Sequence, residues 1–341
     1  MASERVVRKA APTLEEVAAT AGVSRSTASR VINGSPQVSD AVVASVTAAI
    51  AALNYQPNRA ARSLANRQTM AIALVVPEET TRFFGDPYFA SVVQGIYRGL
   101  EDSDYVLNLQ LSASVSPSPK TIRYLLGGNV DGALVVSQHS GDHFLTTLSD
   151  ALPVVFNGRP LGAGGGHNYF VDVDNRDAAV KGTQYLIERG RTRIATIAGP
   201  IDMTAGIDRR NGWASALTSV HQAPDRIAYG DFSLAGGAGA MRRILEEWPD
   251  TDAVFIASDL MALGAMSVLR ERGVKVPADV AIVGFDDSPV ATSGDVKLTT
   301  VRQPSNEMGF TMAQMLLQLL RGENPERECI METSIIVRDS A

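Results

Sequence analysis

Thr13-Leu-Glu-Glu-Val-Ala-Ala-Thr-Ala-Gly-Val-Ser-Arg-Ser-Thr-Ala-Ser-Arg-Val-Ile-Asn33 is the stretch that decides how this chain folds. Thr13 and Glu16 have the spacing of a capping box, in which the hydroxyl takes an orphan amide and the carboxylate reaches back. Leu14, Val17, Ala18 and Ala21 then recur on one face of a short helix. Gly22 breaks it, being suited to backbone that other residues resist. Ser24 can cap a second helix reaching Ile32, with Ala28, Val31 and Ile32 inward and Asn33-Gly34 ending it. A third helix is predicted from about Ser39 to Leu53, where Val43, Val46, Ile50 and Leu53 complete a small core. Two short helices joined by a tight glycine-containing turn make a helix-turn-helix.

The second helix turns Arg25, Ser26, Ser29, Arg30 and Asn33 away from that core. Arginine forks onto guanine edges, and serine or asparagine meets bases or phosphates, so this face suits a recognition helix in a major groove. For an isolated helix, a merely solvated face would be the default reading. The charge distribution favours the groove. The chain of 341 residues carries a net −6, yet residues 1–68 hold Arg5, Arg8, Lys9, Arg25, Arg30, Arg59, Arg62 and Arg67 against Glu4, Glu15, Glu16 and Asp40. A head of +4 on a body of −10 places any nucleic-acid contact at one end.

Beyond Thr69 short β-rich runs alternate with amphipathic stretches. Strands are predicted at Ala71–Val76, Val106–Gln110, Gly132–Val136, Val154–Phe156, Ile194–Ala198, Ala253–Ala257 and Ala281–Phe285, and helices at Pro87–Glu101, Arg176–Arg189, Gly206–Val220 and Asp259–Arg272. This alternation implies parallel sheets with crossover helices. Ligands of such sheets sit beyond the carboxyl ends of strands, which draws attention to Tyr88 and Phe89, Arg209, Phe232, Ser258 and Asp259, and Asp286 and Asp287. Flat rings suit the C–H faces of a ligand, and carboxylates or guanidinium forks suit its paired hydroxyls. Each residue also has a plainer reading. The aromatics suit a core, Asp259 a helix cap, Asp287 a structural ion pair, and Arg209 a surface pair with Asp208 or Asp202.

Other function classes fit less well. The first strand runs into Pro77-Glu-Glu-Thr-Thr rather than a dinucleotide-binding glycine turn, and no phosphate-loop motif occurs. Gly162-Ala-Gly-Gly-Gly166 lacks the strand-to-helix setting and reads as a loop. His139, His143, His167 and His221 have no metal-ligand spacing, and the single Cys329 allows neither a disulfide framework nor a cysteine metal cage. No cofactor, metal or enzyme activity is expected. No run approaches a membrane span and no signal core follows the basic amino terminus, so a cytoplasmic, nucleoid-associated protein is expected.

The stretch 13–33 resembles the LacI/GalR family headpiece, and the likeness continues through Val38-Ser39 and Leu53-Asn-Tyr-Gln-Pro-Asn-Arg-Ala-Ala-Arg-Ser-Leu64. The resemblance implies a small all-α helix-turn-helix headpiece over 1–57 and a hinge over 58–68. It also implies an α/β core over 69–341 of two Rossmann-like lobes, similar to periplasmic sugar-binding proteins, with crossings near 171, 302 and 331. It assigns contact with a palindromic operator to Thr13, Leu14, Ser24, Arg25, Ser26, Thr27, Ser29, Arg30, Asn33, Tyr55, Asn58, Ala61 and Leu64. Leu64 would be a minor-groove wedge on a hinge helix formed only when two copies meet on DNA. It assigns effector contact to Tyr88, Phe89, Ser137, Arg159, Arg209, Phe232, Ser258, Asp259, Asp286 and Gln303. Ser258 stands where several relatives have asparagine, and Gly158 where some have a binding aspartate, leaving Arg159 a contact or a loop-shaping residue. Phe83–Phe89, Ile197–Met203 and Gly230–Phe232 are similar to repressors of cello-oligosaccharide utilisation in actinobacteria. The implied partners are operator DNA, a small sugar (cellobiose or another glucose-containing disaccharide) that releases it, and a second copy. The chain after Arg338 leaves no room for tetramerising heptads, so a homodimer is expected. A nucleobase- or nucleoside-responsive repressor of the same family is the alternative. A transport sugar-binding protein and a nucleotide-dependent enzyme are alternatives from other classes.

Overall fold

The computed structural model describes residues 12–32, 35, 37–55, 68–112, 117–161 and 168–341. The chain divides into two compact units, Met1–Thr69 and Met70–Ala341.

The first unit holds α1 (Leu14–Ala21), α2 (Arg25–Ile32) and α3 (Asp40–Leu53). The capping box forms: the Thr13 amide donates to Glu16 Oε2 at 2.8 Å and the Glu16 amide to Thr13 Oγ1 at 3.3 Å. Gly22 ends α1 at φ +67°, and Ser24 Oγ accepts the Thr27 amide at 3.1 Å to start α2. Val17, Ala18, Ala28, Val46 and Ala49 are buried together, with Leu14, Ala21, Val31, Val42, Ile50 and Leu53 against them. Two expected core positions differ. Val43 is 39% exposed, because Val42 lies nearer the middle of the face that Val46, Ala49, Ile50 and Leu53 define. Ile32 is half-buried like Val31 but is not among the side chains packed on that cluster.

The second unit opens with β1 (Ala71–Val76), α4 (Thr80–Gly85), α5 (Pro87–Leu100), β2 (Val106–Leu111), α6 (Pro119–Leu126), β3 (Gly132–Val136), α7 (Phe144–Ala151), β4 (Val154–Asn157) and β5 (Tyr169–Val173). It continues through α8 (Asn175–Glu188), β6 (Ile194–Ala198), α9 (Thr204–Ser219), β7 (Ile227–Tyr229), α10 (Leu234–Glu247), β8 (Ala253–Ile256), α11 (Asp259–Glu271), β9 (Ala281–Asp286) and β10 (Thr299–Arg302). α12 (Ser305–Leu320), β11 (Glu328–Met331) and β12 (Ser334–Ile336) follow.

These elements make two α/β lobes. One has a six-stranded parallel sheet in the order β11-β5-β4-β3-β1-β2; the other is six-stranded in the order β12-β10-β9-β8-β6-β7, parallel except for β12 against β10. β1, β3, β4, β6 and β8 are buried along their whole length, as strands covered by helices on both faces must be. The chain passes between lobes three times: from β5 into α8, which packs on β8–β10, from β10 into α12, which packs on α5 and β3–β5, and from β11 to β12.

α5 and α12 meet through glycine. A Cβ at Gly95 would lie 1.9 Å from the Asn306 carbonyl oxygen, and one at Gly309 2.1 Å from that of Val92. Gly95→Ala should therefore push the two helices apart and destabilise the core by about 1–3 kcal/mol, read as a lower midpoint in urea denaturation.

Candidate functional site

In the headpiece, Ser24 just before α2 and Arg25, Ser26 and Arg30 on it are exposed, with Thr27 and Ser29 half-buried beside them. Arg25 Nε lies 2.7 Å from Glu15 Oε1, both side chains mostly exposed, so the pair adds little and the guanidinium stays available. The Thr13 hydroxyl is engaged in the cap, and Leu14 and Tyr55 lie against the headpiece core. Asn33, Asn58, Ala61 and Leu64 lie outside the described residues.

In the second unit a cavity of about 600 Å³, including its open mouth, lies between the carboxyl ends of the two sheets. Tyr88, Phe89, Ser137, Arg159, Arg209, Phe232, Ser258, Asp286 and Gln303 all line it. The parallel topology explains the convergence. Strand order reverses beside β1 in one sheet and beside β6 in the other, and loops diverge there to leave a crevice.

Asp259 does not line the cavity. Its carboxylate is fully buried, accepting the Ser288 amide at 2.8 Å and the Thr300 hydroxyl at 2.6 Å, and burial pushes it up to about 7. Gly284 leaves room for it, since a Cβ there would lie 2.5 Å from Asp259 Oδ1. Nor does Asp259 cap α11; Ser258 does, accepting the Met261 amide at 3.3 Å. Asp287 is held by Arg302 at 2.7 Å and Arg338 at 2.5 Å, tying β9 to β10 and the carboxyl-terminal stretch.

Arg209 is the most constrained member, and it is buried rather than paired on the surface. Nε donates to Asn175 Oδ1 at 2.8 Å, Nη1 donates to the Ala257 carbonyl at 2.7 Å, and Asp286 Oδ1 lies 3.6 Å away. Its Cζ sits 3.5 Å over the Phe285 ring. Gly212 brings α9 close to α8, because a Cβ there would lie 2.2 Å from the Arg176 carbonyl oxygen. Burial pushes the Asp286 carboxyl well above the usual carboxylate range, against the pull of Arg209 and a 2.6 Å hydrogen bond from Gln303 Nε2. Burial likewise lowers the Arg209 pKa.

Aromatic rings form another wall: Tyr88 and Phe89 at 5.7 Å between centroids, and Phe232, whose ring fits because a Cβ at Gly199 would lie 2.3 Å from its Cζ. Tyr88 OH donates to Asn157 Oδ1. Ser137, Phe232 and Asp286 have φ of +64°, +64° and +118°, a left-handed backbone that costs non-glycine residues energy and tends to collect at binding sites. Arg82, Asp86, Gln138, Asn157, Met203 and Thr204 also line the cavity and were not anticipated. The Asp86-Pro87 start of α5 was the available signal for Asp86, whose side chain accepts the Tyr88 amide at 3.0 Å.

Several contacts join the lobes at the cavity mouth. Asp202 accepts from His139 Nδ1 at 2.8 Å, and its carbonyl accepts the Ser140 amide at 2.8 Å. Thr204 Oγ1 donates to the Arg159 carbonyl at 2.7 Å, and Arg159 Nη2 lies 2.8 Å from Asp208. On its own lobe His139 Nε2 meets Glu78 at 3.2 Å, and Glu78 also receives Ser137 Oγ at 2.5 Å.

Comparison with known proteins matches this architecture end to end. Residues 13–58 fit the bacterial regulatory proteins, lacI family, and residues 183–341 a periplasmic binding protein-like domain. The HTH-type transcriptional regulator CelR of Thermobifida fusca is 45% identical over 98% of this chain and 99% of its own. The chain belongs to the lacI family. A structure of a transcriptional regulator CelR–cellobiose complex superposes with a TM-score of 0.77 at 44% identity, covering 97% of this chain and 100% of that one. The lac repressor dimer bound to operator and the anti-inducer ONPF gives 0.85 at 27% identity, covering 97% and 99%. Among the described residues no helix is long and apolar enough to cross a membrane.

In this lacI-family core His139 faces Glu78 and Asp202 with its ring, while its amide donates to Asp142 at 2.7 Å. The hydrogen bond to Glu78, then that to Asp202, overcome the effect of burial and raise its pKa from 6.5 to about 9. The stabilisation is therefore complete below the ordinary histidine value and disappears as pH rises through about 9. Urea denaturation of the wild type should show stability falling between about pH 7 and pH 10, with a flatter profile for His139→Gln.

Proposed function

We propose that this protein is a DNA-binding transcriptional repressor of sugar-utilisation genes, released from a palindromic operator by a small neutral sugar. The observation that carries the effector half is the charge balance of the cleft. Every arginine lining it faces a carboxylate: Arg82 meets Glu78 at 2.5 Å, Arg159 meets Asp208 at 2.8 Å and Arg209 meets Asp286 at 3.6 Å. Such a site has little spare positive charge for a phosphorylated ligand. It does have forked donors, carboxylates and the faces of Tyr88, Phe89 and Phe232 for an uncharged polyol. Likeness to the CelR–cellobiose complex supports cellobiose or a related disaccharide.

The exposed face of α2 would read base edges, and the hinge over 58–68, with Leu64 as wedge, would fold on DNA when two copies pair. Sugar bridging the lobes of the 69–341 core would shift the population toward an arrangement that separates the paired hinges. We read the chain as a cytoplasmic regulator rather than an enzyme.

Fluorescence anisotropy on a palindromic operator from the protein's own upstream region, at fixed salt, tests both halves. Tight binding lost on adding cellobiose but retained with a sugar phosphate is the expected result; strengthening by a nucleobase would overturn the effector assignment. In the same titration, half-release of Arg209→Ala should need at least about tenfold more sugar, because a charged donor and its partner's charge balance are lost together.

A further inference from the structure

One guanidinium in the cleft is only partly used by the protein. Arg82 lies on α4 and lines the cavity from the first lobe, on a different lobe from Arg209. Its Nη1 is taken by Glu78 at 2.5 Å. That carboxylate is itself buried and fixed by Ser137 and His139, so the arginine is anchored at one corner. Its Cζ lies 5.4 Å from the Phe232 ring centroid and 6.0 Å from that of Phe89, so rings from both lobes flank it. Nε is buried and has no hydrogen-bond partner among the described residues. A buried charged donor left unpaired is strongly disfavoured and calls for a missing acceptor.

The unused part has a definite shape. Nη1 is the nitrogen nearer Cδ in the guanidinium plane, so its engagement leaves the opposite edge, Nε–H with the parallel Nη2–H. That edge is the fork with which arginine holds two oxygens at once. Adjacent equatorial hydroxyls on a pyranose present two oxygens at matching spacing, and the ring's C–H face can lie against Phe89 or Phe232. Because Glu78 already balances the charge, the fork suits a neutral diol better than an anion.

We infer that Arg82 is an effector-contacting, specificity-determining residue, its Nε/Nη2 edge donating to a vicinal diol of the bound sugar. The inference rests on the sugar-responsive reading proposed above. A diol held here, on the first lobe, belongs to the same ligand that Arg209 and Asp286 hold from the second. Sugars unable to reach both arginines with hydroxyls should bind more weakly than those that do.

Isothermal titration calorimetry on the full-length wild type, Arg82→Gln and Arg82→Lys would test this, using cellobiose and its monodeoxy analogues. Arg82→Gln should weaken cellobiose binding about ten- to hundredfold, and Arg82→Lys, which keeps the charge but not the fork, should fail to restore it. The decisive readout is coupling. For analogues lacking either hydroxyl of one adjacent pair, the difference between wild type and variant should shrink toward none. An equal loss with every analogue would make Arg82 a brace between Glu78 and Phe232 and overturn the inference, as would no loss at all. If Arg82→Gln does not fold, Arg82→Lys carries the same comparison. A wild type that binds no sugar would remove the sugar reading itself and this inference with it. Normal cellobiose binding without coupling would remove only the role of Arg82.

Discussion

A buried guanidinium organises the second unit. Arg209, a residue of α9, is buried with almost no solvent, and an uncompensated charge there would be prohibitive. Its partners come from distant parts of the chain: Asn175 at the start of α8, the Ala257 carbonyl after β8, Asp286 at the end of β9 and the Phe285 ring. Each must stay where it is for the charge to be tolerated. Asn175 extends the network by donating to Asp172 at 2.9 Å, and Asp172 in turn accepts the Arg159 amide at 2.8 Å. The arrangement that solvates one arginine thus also fixes the first interlobe crossing and the loop after β4.

The lobes are related through polar contacts at the rim and aromatic contacts inside. His139–Asp202, Thr204–Arg159 and Arg159–Asp208 cross the mouth, while Arg82 reaches toward Phe232 within. Contacts of this type are individually modest, and water can replace them when the mouth opens. The interior of each sheet has no such alternative. A cleft built this way can change its opening without disturbing the sheets, which is what a population shift between two core arrangements requires.

How far the site was legible in sequence depended on the residue. Asp286 was readable because a strand ending in Gly284-Phe-Asp-Asp287 puts acidic groups at a sheet's carboxyl edge. The same rule placed Asp259 there, yet its side chain turns inward to Ser288 and Thr300. Strand position sets a residue's neighbourhood; side-chain direction depends on what the adjacent strand offers. Arg82 was missed because α4, six residues long, is too short to show a periodicity of its own. The positive φ of Ser137 and Phe232 left no trace either, since neither residue type favours that backbone. β7, three residues long, fell below the length at which alternation can be recognised.

Local order was determined by the sequence alone. The capping box at Thr13, the break at Gly22, the buried runs of β1 and β3 and the succession of strands and helices all rest on interactions within a few residues, where type and spacing suffice. The headpiece was readable almost whole because its core joins helices adjacent in sequence. Only the tertiary structure decided that Arg209 is buried, that Asp259 faces away from the cavity, and that Arg82 and Arg209 enter it from different lobes. The physical reason is the threefold passage of the chain between lobes. The partners of Arg209 and Asp259 are brought together by sheet order and crossovers, and no local pattern records which distant group will meet them, whereas Arg82 finds Glu78 four residues away.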